Sequence, residues 1–393
     1  MKIAGIICEY NPFHKGHQYQ IQKLRQKGYT HIVGIMSPNF VQRGDIAIFE
    51  KRQRAYAALL GGLDLVIELP TPYAVSSAGQ FAFGGVNILK NMGCIDAISF
   101  GSESDEDGMF FDVAKMLVEK QINSKIKTFL SDGVSYQTAV TMAVGENNNH
   151  DYTSFLQSPN NLLGTEYVKQ MITQNAEFDV EIIKRQGSNH LDDKIKEGFS
   201  SATAIRNEIL NSNISRCKNS LTEDGYEIFS LLKPSHIGEL EQAMLYRLRS
   251  LEKDDFRRFA DVSEGLDNRF QKALREENSV VGIMNFVKSK RYAYSRIRRI
   301  IINILLDIPK EYAKINAPYI RVLGCNKNGN EVIKLMKKTA VLPVSHSLAK
   351  LAKEGEYCRK FSEVEERATD IFSLCQKPIW CKGEEYKINS IRI

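Results

Sequence analysis

The sequence predicts a protein of the α/β class, in which a doubly wound parallel sheet is followed by an α-rich second domain. Two observations predict this class. Over the first hundred residues, short β-branched runs alternate with longer segments of helical periodicity, which is typical of parallel strands joined by crossover helices. After a stretch rich in Asn, Ser and Lys at 211–219, the helical pattern dominates. Because 393 residues are enough for roughly two to three domains, we place two domains at 1–212 and 213–393.

The elements follow from the period of the apolar residues. The predicted strands are Ile3–Cys8, His31–Met36, Asp64–Glu68, Ile95–Phe100 and Phe178–Ile183. The predicted helices of the first domain are Gly16–Lys27, Glu50–Leu60, Gly79–Asn91, a helical stretch over Met109–Met142 and a helix that begins near Ser201. Those of the second domain are Glu223–Leu232, Glu239–Ser250 and Arg291–Leu306, with a mixed section over Tyr319–Val344. Loops are expected at 145–150 and 186–190.

Composition narrows the class of protein. The chain has 53 Lys and Arg against 47 Asp and Glu, a net charge of +6 that permits a polyanionic partner. Its seven cysteines are scattered and form no Cys-x-x-Cys pair, which argues against a disulfide framework or a zinc knuckle and favours a reducing compartment. No stretch reaches the ~20 apolar residues that span a bilayer. We therefore expect a cytoplasmic protein with no membrane partner.

The strongest local signal is a strand followed by Asn11–His17 and then a helix. His14 and His17 are three residues apart and share one face of the first helical turn, while Gly16 lets a ligand approach the backbone. A helix N-terminus offers unpaired N–H groups and a partial positive charge, so two imidazoles there predict a polyphosphate site. The alternative is that His14 only caps the helix and His17 lies at the surface.

This His-x-Gly-His pattern resembles the nucleotidylyltransferase superfamily, whose motif binds a nucleoside triphosphate and stabilises charge during attack on the α-phosphate. The resemblance implies a Rossmann-like sheet. A second motif of that superfamily resembles Ser200–Arg206, and implies that Arg206 binds phosphate while Ser201 and Thr203 cap a helix and donate to phosphate. By itself the Ser-Ser-Ala-Thr run is an ordinary helix cap. By this resemblance His14, His17 and Arg206 are the catalytic residues.

Further segments narrow the resemblance to the bacterial tRNA(Met) cytidine acetate ligase family. The segments are Glu9–His17, Gln42–Gly44, Asp64–Pro70, Phe100–Glu103, Ser158–Asn161 and Pro318–Gly324. That family activates acetate with ATP as acetyl-adenylate and acetylates the wobble cytidine, position 34, of elongator tRNA(Met) to N4-acetylcytidine. The resemblance implies that ATP is bound by Ile7, Cys8, Glu9, Tyr10, Asn11, Pro12, Phe13, His14, Lys15, Gly16, His17, Gln18, Tyr19, Gln20, Gly101, Asn160, Asn161 and Arg185, with Ser201, Thr203 and Arg206. Which of the two asparagines contacts ATP stays open.

The chemistry of such a reaction requires fixed donors. Attack of a carboxylate on the α-phosphorus concentrates negative charge on the non-bridging oxygens and on the departing pyrophosphate. His14, His17, Arg206 and the helix N-terminus supply donors there. Mg²⁺ normally accompanies ATP, but no acidic cluster marks a dedicated metal site, so we expect the ion to be held mainly by the phosphates.

A basic segment in the second domain predicts contact with RNA. Residues 288–299 carry six basic side chains, no acidic one and two tyrosines, a combination that neutralises phosphates and stacks bases. We expect the arginines to form one outer stripe of a helix. The predicted tRNA-binding residues are Lys288, Lys290, Arg291, Arg296, Arg298 and Arg299. Gln42–Gly44 and Lys51–Arg54 are candidates for contact with pyrophosphate or tRNA, or are solvated charges.

Two other functions remain open at this point. One is a small-molecule adenylyltransferase that makes a dinucleotide cofactor, although most such enzymes need only the first domain. The other is a non-catalytic RNA-binding protein that keeps the nucleotide-binding fold.

Overall fold

The structure, a computed structural model, describes residues 1–104, 107–145, 152–185, 195, 199–262 and 265–393. The strands are β1 Ile3–Cys8, β2 His31–Met36, β3 Phe40–Val41, β4 Asp45–Ile46, β5 Leu65–Glu68, β6 Ala97–Ser102, β7 Asp179–Lys184, β8 Ile320–Cys325, β9 Val344–Ser345 and β10 Ile391–Arg392. The helices of the first half are α1 Lys15–Gln26, α2 Lys51–Leu60, α3 Thr71–Ala74, α4 Ala78–Met92, α5 Asp107–Val118, α6 Lys120–Ser131, α7 Tyr136–Gly145, α8 Tyr152–Gln157, α9 Pro159–Gln174 and α10 Ala202–Leu210. The later helices are α11 Glu223–Ser230, α12 Glu241–Arg249, α13 Leu266–Glu276, α14 Val280–Val287, α15 Tyr294–Leu305, α16 Lys327–Thr339, α17 Leu348–Leu351 and α18 Glu356–Phe372.

The central sheet has the strand order β10-β8-β5-β2-β1-β6-β7, and β9 pairs with β8. All of its pairings are parallel except that between β5 and β8. The chain winds outward from β1 through β2 to β5 on one side and through β6 to β7 on the other. The direction of winding therefore reverses between β1 and β6, and a crevice opens beyond the carboxyl ends of these strands. The predicted doubly wound sheet is confirmed.

Both faces of the sheet are covered, because alternate residues of each strand enter different apolar clusters. Ile3 and Ile7 of β1 pack with α4 and α9 on one face, while Ile6 of β1 and Met36 of β2 pack with α1 and α2 on the other. Strands buried on both faces read as continuous apolar runs, which is why the sequence pattern predicted β1 and β2 with their observed bounds.

A separate apolar cluster lies within the helical part of the chain. It joins α12, α13, α14, α15 and α18 through side chains such as Phe270, Ile300 and Phe372. Phe40 and Ile46, from the two strands of the β3–β4 hairpin, are buried in the same cluster. The hairpin that follows β2 therefore connects the sheet to the helices of the second half.

The second half also returns to the sheet, because β8, β9 and β10 extend it beyond β5. A buried charged cluster accompanies this return: Lys51 Nζ contacts Glu68 Oε1 at 2.5 Å and Glu385 Oε1 at 2.7 Å, and Arg321 Nη1 contacts Glu68 Oε2 at 2.9 Å. The boundary at 212/213 stays a prediction, and strands from both sides of it share one sheet.

Several element bounds differ from the expectation. β6 spans Ala97–Ser102 rather than Ile95–Phe100, the stretch 109–142 folds as three helices, and α15 begins at Tyr294 rather than Arg291. The loops expected at 145–150 and 186–190 lie outside the described residues, apart from Gly145, which ends α7. In the portion of the chain that is described, no helix is long and apolar enough to cross a membrane.

Candidate functional site

A cleft of about 520 Å³ opens at the carboxyl ends of β1, β6 and β7. Its floor is the loop after β1, which leads into α1, and its walls come from the start of α9, the end of β7 and the start of α10. The β3–β4 hairpin and α15 form a further wall through Gln42, Arg43, Ser295 and Arg299. The cleft therefore lies where doubly wound sheets bind their ligands, beyond the carboxyl ends of the strands.

The two histidines of the His-x-Gly-His motif lie side by side in this cleft. His14 is the N-cap of α1, and its Nδ1 accepts a hydrogen bond from the Gly16 N–H at 3.0 Å. The Nδ1 of His17 accepts from the His14 N–H at 3.3 Å, and the two rings stack with their centroids 3.8 Å apart. An imidazole that accepts through Nδ1 carries its proton on Nε2 when it is neutral. Both rings therefore keep an Nε2–H that can donate to a phosphate oxygen.

The surroundings hold both rings in the neutral form. Burial, together with the positive charges of Arg185 and Arg206, lowers the pKa of His14 to about 3. Burial, His14 and Arg185 hold the pKa of His17 well below its ordinary value of 6.5. At neutral pH each ring is thus a neutral hydrogen-bond donor. A bound polyphosphate would favour the protonated form, since an opposite charge nearby raises the pKa of an imidazole.

Arg206 reaches the same loop from a distant part of the chain. Ser201 caps α10 by accepting from the Ala204 N–H at 3.0 Å, which places Arg206 in the second turn of the helix. Arg206 Nη1 donates to the Asn11 carbonyl oxygen at 2.9 Å, and Nη2 donates to Thr203 Oγ1 at 3.0 Å. Arg206 and the two histidines therefore line one cleft, as the two motifs together predicted.

The opposite wall carries Gly101, Asn160 and Arg185. The Arg185 N–H donates to the Ser102 carbonyl oxygen at 2.8 Å, which extends the β6–β7 pairing by one residue. Its Nε lies 3.7 Å from Glu103 Oε1, and the same carboxylate accepts from Asn160 Nδ2. Glu103 therefore orients both side chains. Its position directly after a strand was the sequence signal for it.

The amide groups of the two asparagines have different surroundings. Asn161 Oδ1 accepts from Ser102 Oγ at 2.9 Å and from the Glu103 N–H at 3.2 Å, and its Nδ2 donates to the Phe155 carbonyl oxygen at 3.1 Å. Asn161 is buried and braces the turn after β6, whereas Asn160 lines the cleft. The geometry therefore favours Asn160 as the asparagine that faces a ligand.

Most of the predicted ATP-binding residues line the cleft, but five do not. Phe13 packs in the apolar core against α2 and the turn that follows it, and the Lys15 N–H donates to the Ser220 carbonyl oxygen at 3.0 Å. The lining residues that were predicted are Ile7, Cys8, Glu9, Tyr10, Asn11, His14, Gly16, His17, Tyr19, Gln20, Gly101, Asn160, Arg185, Ser201, Thr203 and Arg206. Within the described residues, Pro12, Phe13, Lys15, Gln18 and Asn161 are absent from the lining.

The sequence analysis missed the apolar part of the cleft. Its members come from four elements whose contact is not visible in the local pattern, and each one reads as an ordinary core residue. They are Phe81, Phe100, Leu162, Leu163, Tyr167 and Ile183. Among the described residues, no group of three or more His, Cys, Asp or Glu side chains is placed to hold a metal ion.

The sequence predicted that the arginines of α15 form one outer stripe of the helix. This prediction is wrong for Arg299. Its side chain is only 11% exposed, and its Nε lies 2.7 Å from Asp261 Oδ2. Arg296 donates from Nε and Nη2 to the Asp261 carbonyl oxygen, while Arg298 is 45% exposed near Asp45. An amphipathic pattern identifies the apolar face of a helix, but the loop carrying Asp261 covers part of the polar face. Lys290 and Arg291 precede the helix and are exposed.

This chain is similar to known proteins over most of its length. A family model described as HIGH Nucleotidyl Transferase matches residues 1–386. A relative named tRNA(Met) cytidine acetate ligase in Thermoanaerobacter sp. (strain X514) is 38% identical over 395 residues, covering 96% of each chain. The chain belongs to this ligase family. A family member of the same name in Clostridium novyi (strain NT) is 40% identical over 365 residues, covering 89% of this chain and 91% of the relative.

Solved structures from the same family share the whole fold. The apo crystal structure of Thermotoga maritima TmcAL matches with a TM-score of 0.94 and 30% identity, over 100% of both chains. The crystal structure of that protein bound with alpha-thio ATP matches with a TM-score of 0.92 and 29% identity, again over 100% of both chains. The family fold therefore extends through the helical half of this chain.

Proposed function

We propose that this chain is an ATP-dependent acetate ligase that activates acetate as acetyl-adenylate and acetylates the wobble cytidine, position 34, of elongator tRNA(Met). The product is N4-acetylcytidine. The observation that carries the proposal is the convergence of His14, His17 and Arg206 on one cleft at the switch point of the sheet. Family membership supports the same reaction, since the relatives carry that name.

The cleft residues suit attack on the α-phosphorus of ATP. Two neutral Nε2–H donors and one guanidinium would bind the phosphate oxygens on which negative charge develops. Because these groups are fixed by caps and backbone contacts before substrate binds, little reorganisation is needed in the transition state. On the other wall, Gly101, Asn160 and Arg185 would contact the adenosine. Mg²⁺ would enter with ATP and be held mainly by the phosphates.

The acetylated macromolecule would be held by the second half of the chain. Lys288, Lys290, Arg291, Arg296 and Arg298 lie at the start of α15 or directly before it, and an RNA backbone is the polyanion such a segment neutralises. A tRNA substrate would place the reaction in the cytoplasm. The division into a catalytic part at 1–212 and a tRNA-binding part at 213–393 belongs to the same proposal, with β8 and β10 returning to the sheet.

The experiment is a labelled-acetate assay. The protein is incubated with ATP, radiolabelled acetate and unmodified elongator tRNA(Met), after which the tRNA is digested to nucleosides. We expect label in N4-acetylcytidine only when ATP and acetate are both present. A tRNA whose wobble cytidine is replaced by uridine is the matched control, because it keeps the tRNA shape and removes the N4 amine. Label in that control, or only in a soluble dinucleotide, would contradict the proposal.

A further inference from the structure

Arg299 brings a guanidinium from the helical half into the nucleotide cleft. It lies in the second turn of α15 and lines the cleft together with Ser295 of the same helix. The approach of this helix to the hairpin is close, because a Cβ atom on Gly44 would lie 2.4 Å from the Arg299 nitrogen. The β3–β4 hairpin and α15 therefore pack against each other and form one continuous wall of the cleft.

One nitrogen of the Arg299 guanidinium is held by a carboxylate, and the other two are available to a ligand. Nε donates to Asp261 Oδ2 at 2.7 Å, while Nη1 and Nη2 make no hydrogen bond to any residue that the structure describes. Asp261 is itself held through its carbonyl oxygen, which accepts from Arg296 at 2.9 and 2.7 Å. A guanidinium oriented in this way presents the NH₂ groups of its two terminal nitrogens to a ligand in the cleft.

The order of the strands indicates which substrate would face Arg299. Gly101 and Arg185 lie on β6 and beside β7, the histidines follow β1, and the hairpin follows β2. Across the sheet the sequence of neighbours is β7, β6, β1 and β2. A nucleotide whose adenosine occupies the β6–β7 side and whose α-phosphate lies over β1 leaves the hairpin side open. Arg299 lies on that open side, which leaves room for the reactant that attacks the activated acyl group.

We propose that Arg299 contacts the acceptor nucleotide of the RNA at this wall and acts in acetyl transfer rather than in adenylation. The inference rests on the proposed function. The N4 amine of cytidine attacks the acetyl carbonyl carbon, an N–C bond forms, the C–O bond to AMP breaks, and one N4 proton is released to solvent. Arg299 binds the acceptor through Nη1 and Nη2, and Asp261 is a positioning residue for it. The basic segment 288–298 continues from the same wall along the RNA backbone.

The test separates the two half-reactions in the full-length protein. Adenylation is measured as acetate-dependent exchange of labelled pyrophosphate into ATP without tRNA, and transfer as N4-acetylcytidine formed at saturating tRNA. In Arg299→Gln we expect the maximal transfer rate to fall about 100-fold, as for loss of one fixed donor, with exchange within about 3-fold of the unmodified protein. Arg275→Gln, exposed on α13 and absent from the cleft lining, is the matched control, expected to leave exchange, the maximal transfer rate and the KM for tRNA unchanged.

Three results would overturn the inference. Equal loss of exchange and transfer would assign Arg299 to ATP, a loss that disappears at saturating tRNA would make it only a phosphate anchor, and full transfer would remove it from the reaction. If Arg299→Gln does not fold, Arg299→Lys keeps the charge beside Asp261 and loses the planar pair of donors; it must show the same split. Absence of N4-acetylcytidine with the unmodified protein would instead contradict the proposed function.

Discussion

At the scale of single residues, the site depends on how the two imidazoles are held. Each Nδ1 accepts a backbone N–H at the start of α1, so each ring is both a helix cap and a donor through Nε2. The two readings of the motif, cap and phosphate ligand, are therefore compatible. The same hydrogen bond that caps the start of the helix selects the tautomer that a phosphate needs.

The chain offers a matched pair of capping histidines for testing this point. His236 caps a 3₁₀ helix outside the cleft, and its Nδ1 accepts from the Gly238 N–H at 3.1 Å, just as His14 accepts from Gly16. We expect His14→Ala to lower acetate-dependent pyrophosphate exchange at least about 100-fold, since a fixed donor to the transition state is lost. His236→Ala should lose a cap and keep exchange. Similar exchange rates in the two variants would contradict a role for His14 beyond capping.

The low pKa of His14 also predicts how stability depends on pH. The unfolded chain takes up a proton on this ring below about pH 6.5, while the folded chain takes it up only near pH 3. Because the unfolded state binds more protons in this window, the free energy of unfolding falls as the pH drops from 6.5 towards 3. The stabilisation that His14 contributes is fully present above pH 6.5. The contribution lost at pH 5 is about 2 kcal/mol.

Denaturant unfolding at pH 7 and pH 5 measures this effect. His14→Asn retains a side chain that caps helices well and removes the titrating ring. The decrease in unfolding free energy between the two pH values should therefore be smaller in His14→Asn than in the unmodified protein. An identical decrease in both would show that His14 does not titrate between pH 7 and pH 5 differently in the folded and unfolded states.

The residues of the motif were predictable because their positions relative to one strand and one helix determine where they lie. The choice between Asn160 and Asn161 was not. Both follow a proline at the start of α9, and only contacts with Ser102 and Glu103, from a strand distant in sequence, turn one amide inward. The residues around Asn160 and Asn161 in the sequence do not indicate such long-range contacts.

At the scale of elements, the contact between the β3–β4 hairpin and α15 depends on Gly44. Its φ of +71° lies in the left-handed region, and a Cβ there would meet backbone atoms of Arg298 and Arg299 at 2.5 and 2.4 Å. Backbone atoms cannot rotate away as a side chain can, so a substitution must separate the two elements. Any residue larger than glycine should therefore displace one wall of the cleft.

Gly44→Ala tests this contact, with Gly28→Ala as its control. Gly28 has a φ of +88°, and a Cβ there would have no neighbour within 4 Å, so its substitution carries only the conformational cost of about 1–2 kcal/mol. We expect Gly44→Ala to lower the free energy of unfolding by more than this, and to slow acetyl transfer. Equal losses of stability in chemical denaturation would show that the hairpin does not rest on α15.

The elements themselves were predicted with uneven success. β1 and β2 are buried on both faces and form uninterrupted apolar runs, so their bounds were found correctly. The buried face of α15 followed from its apolar spacing, but the burial of Arg299 did not. That burial depends on Asp261, which lies 38 residues earlier in the chain. The spacing of apolar residues within α15 therefore cannot predict it.

At the scale of the whole molecule, a buried charged cluster joins the C-terminal segment to the centre of the sheet. Lys51, Glu68, Arg321 and Glu385 are each at most 4% exposed, and Glu385 accepts from both cations. Removing one carboxylate from such a cluster leaves buried positive charge without a partner, which typically costs about 3–5 kcal/mol. The second half is thereby tied to the strands that support the cleft.

Glu385→Ala tests the strength of this connection. We expect its free energy of unfolding in urea to fall by about 3–5 kcal/mol. Glu384→Ala is the control, because Glu384 pairs with Lys387 at the surface, where solvent screening leaves such a pair little effect on stability. If the two substitutions cost the same, the cluster does not hold the C-terminal segment in place.

The overall topology could be predicted only in part. The alternation of strands and helices in the first domain indicated the parallel core from β1 to β7, because each crossover is local in sequence. The antiparallel pairing of β8 with β5 joins segments more than 250 residues apart, and β10 has only two residues, too few for a pattern. Long-range pairing of this kind depends on tertiary contacts rather than on local preference.

The most direct measurement of the central claim follows oxygen atoms from acetate into AMP. If acetate attacks the α-phosphorus and the acetyl group then leaves for cytidine, one acetate oxygen remains on the phosphate. With acetate labelled in both oxygens by ¹⁸O, and with unmodified tRNA present, mass spectrometry of the AMP released should show one ¹⁸O per molecule. AMP without ¹⁸O, formed together with acetylated cytidine, would contradict an acetyl-adenylate in this cleft.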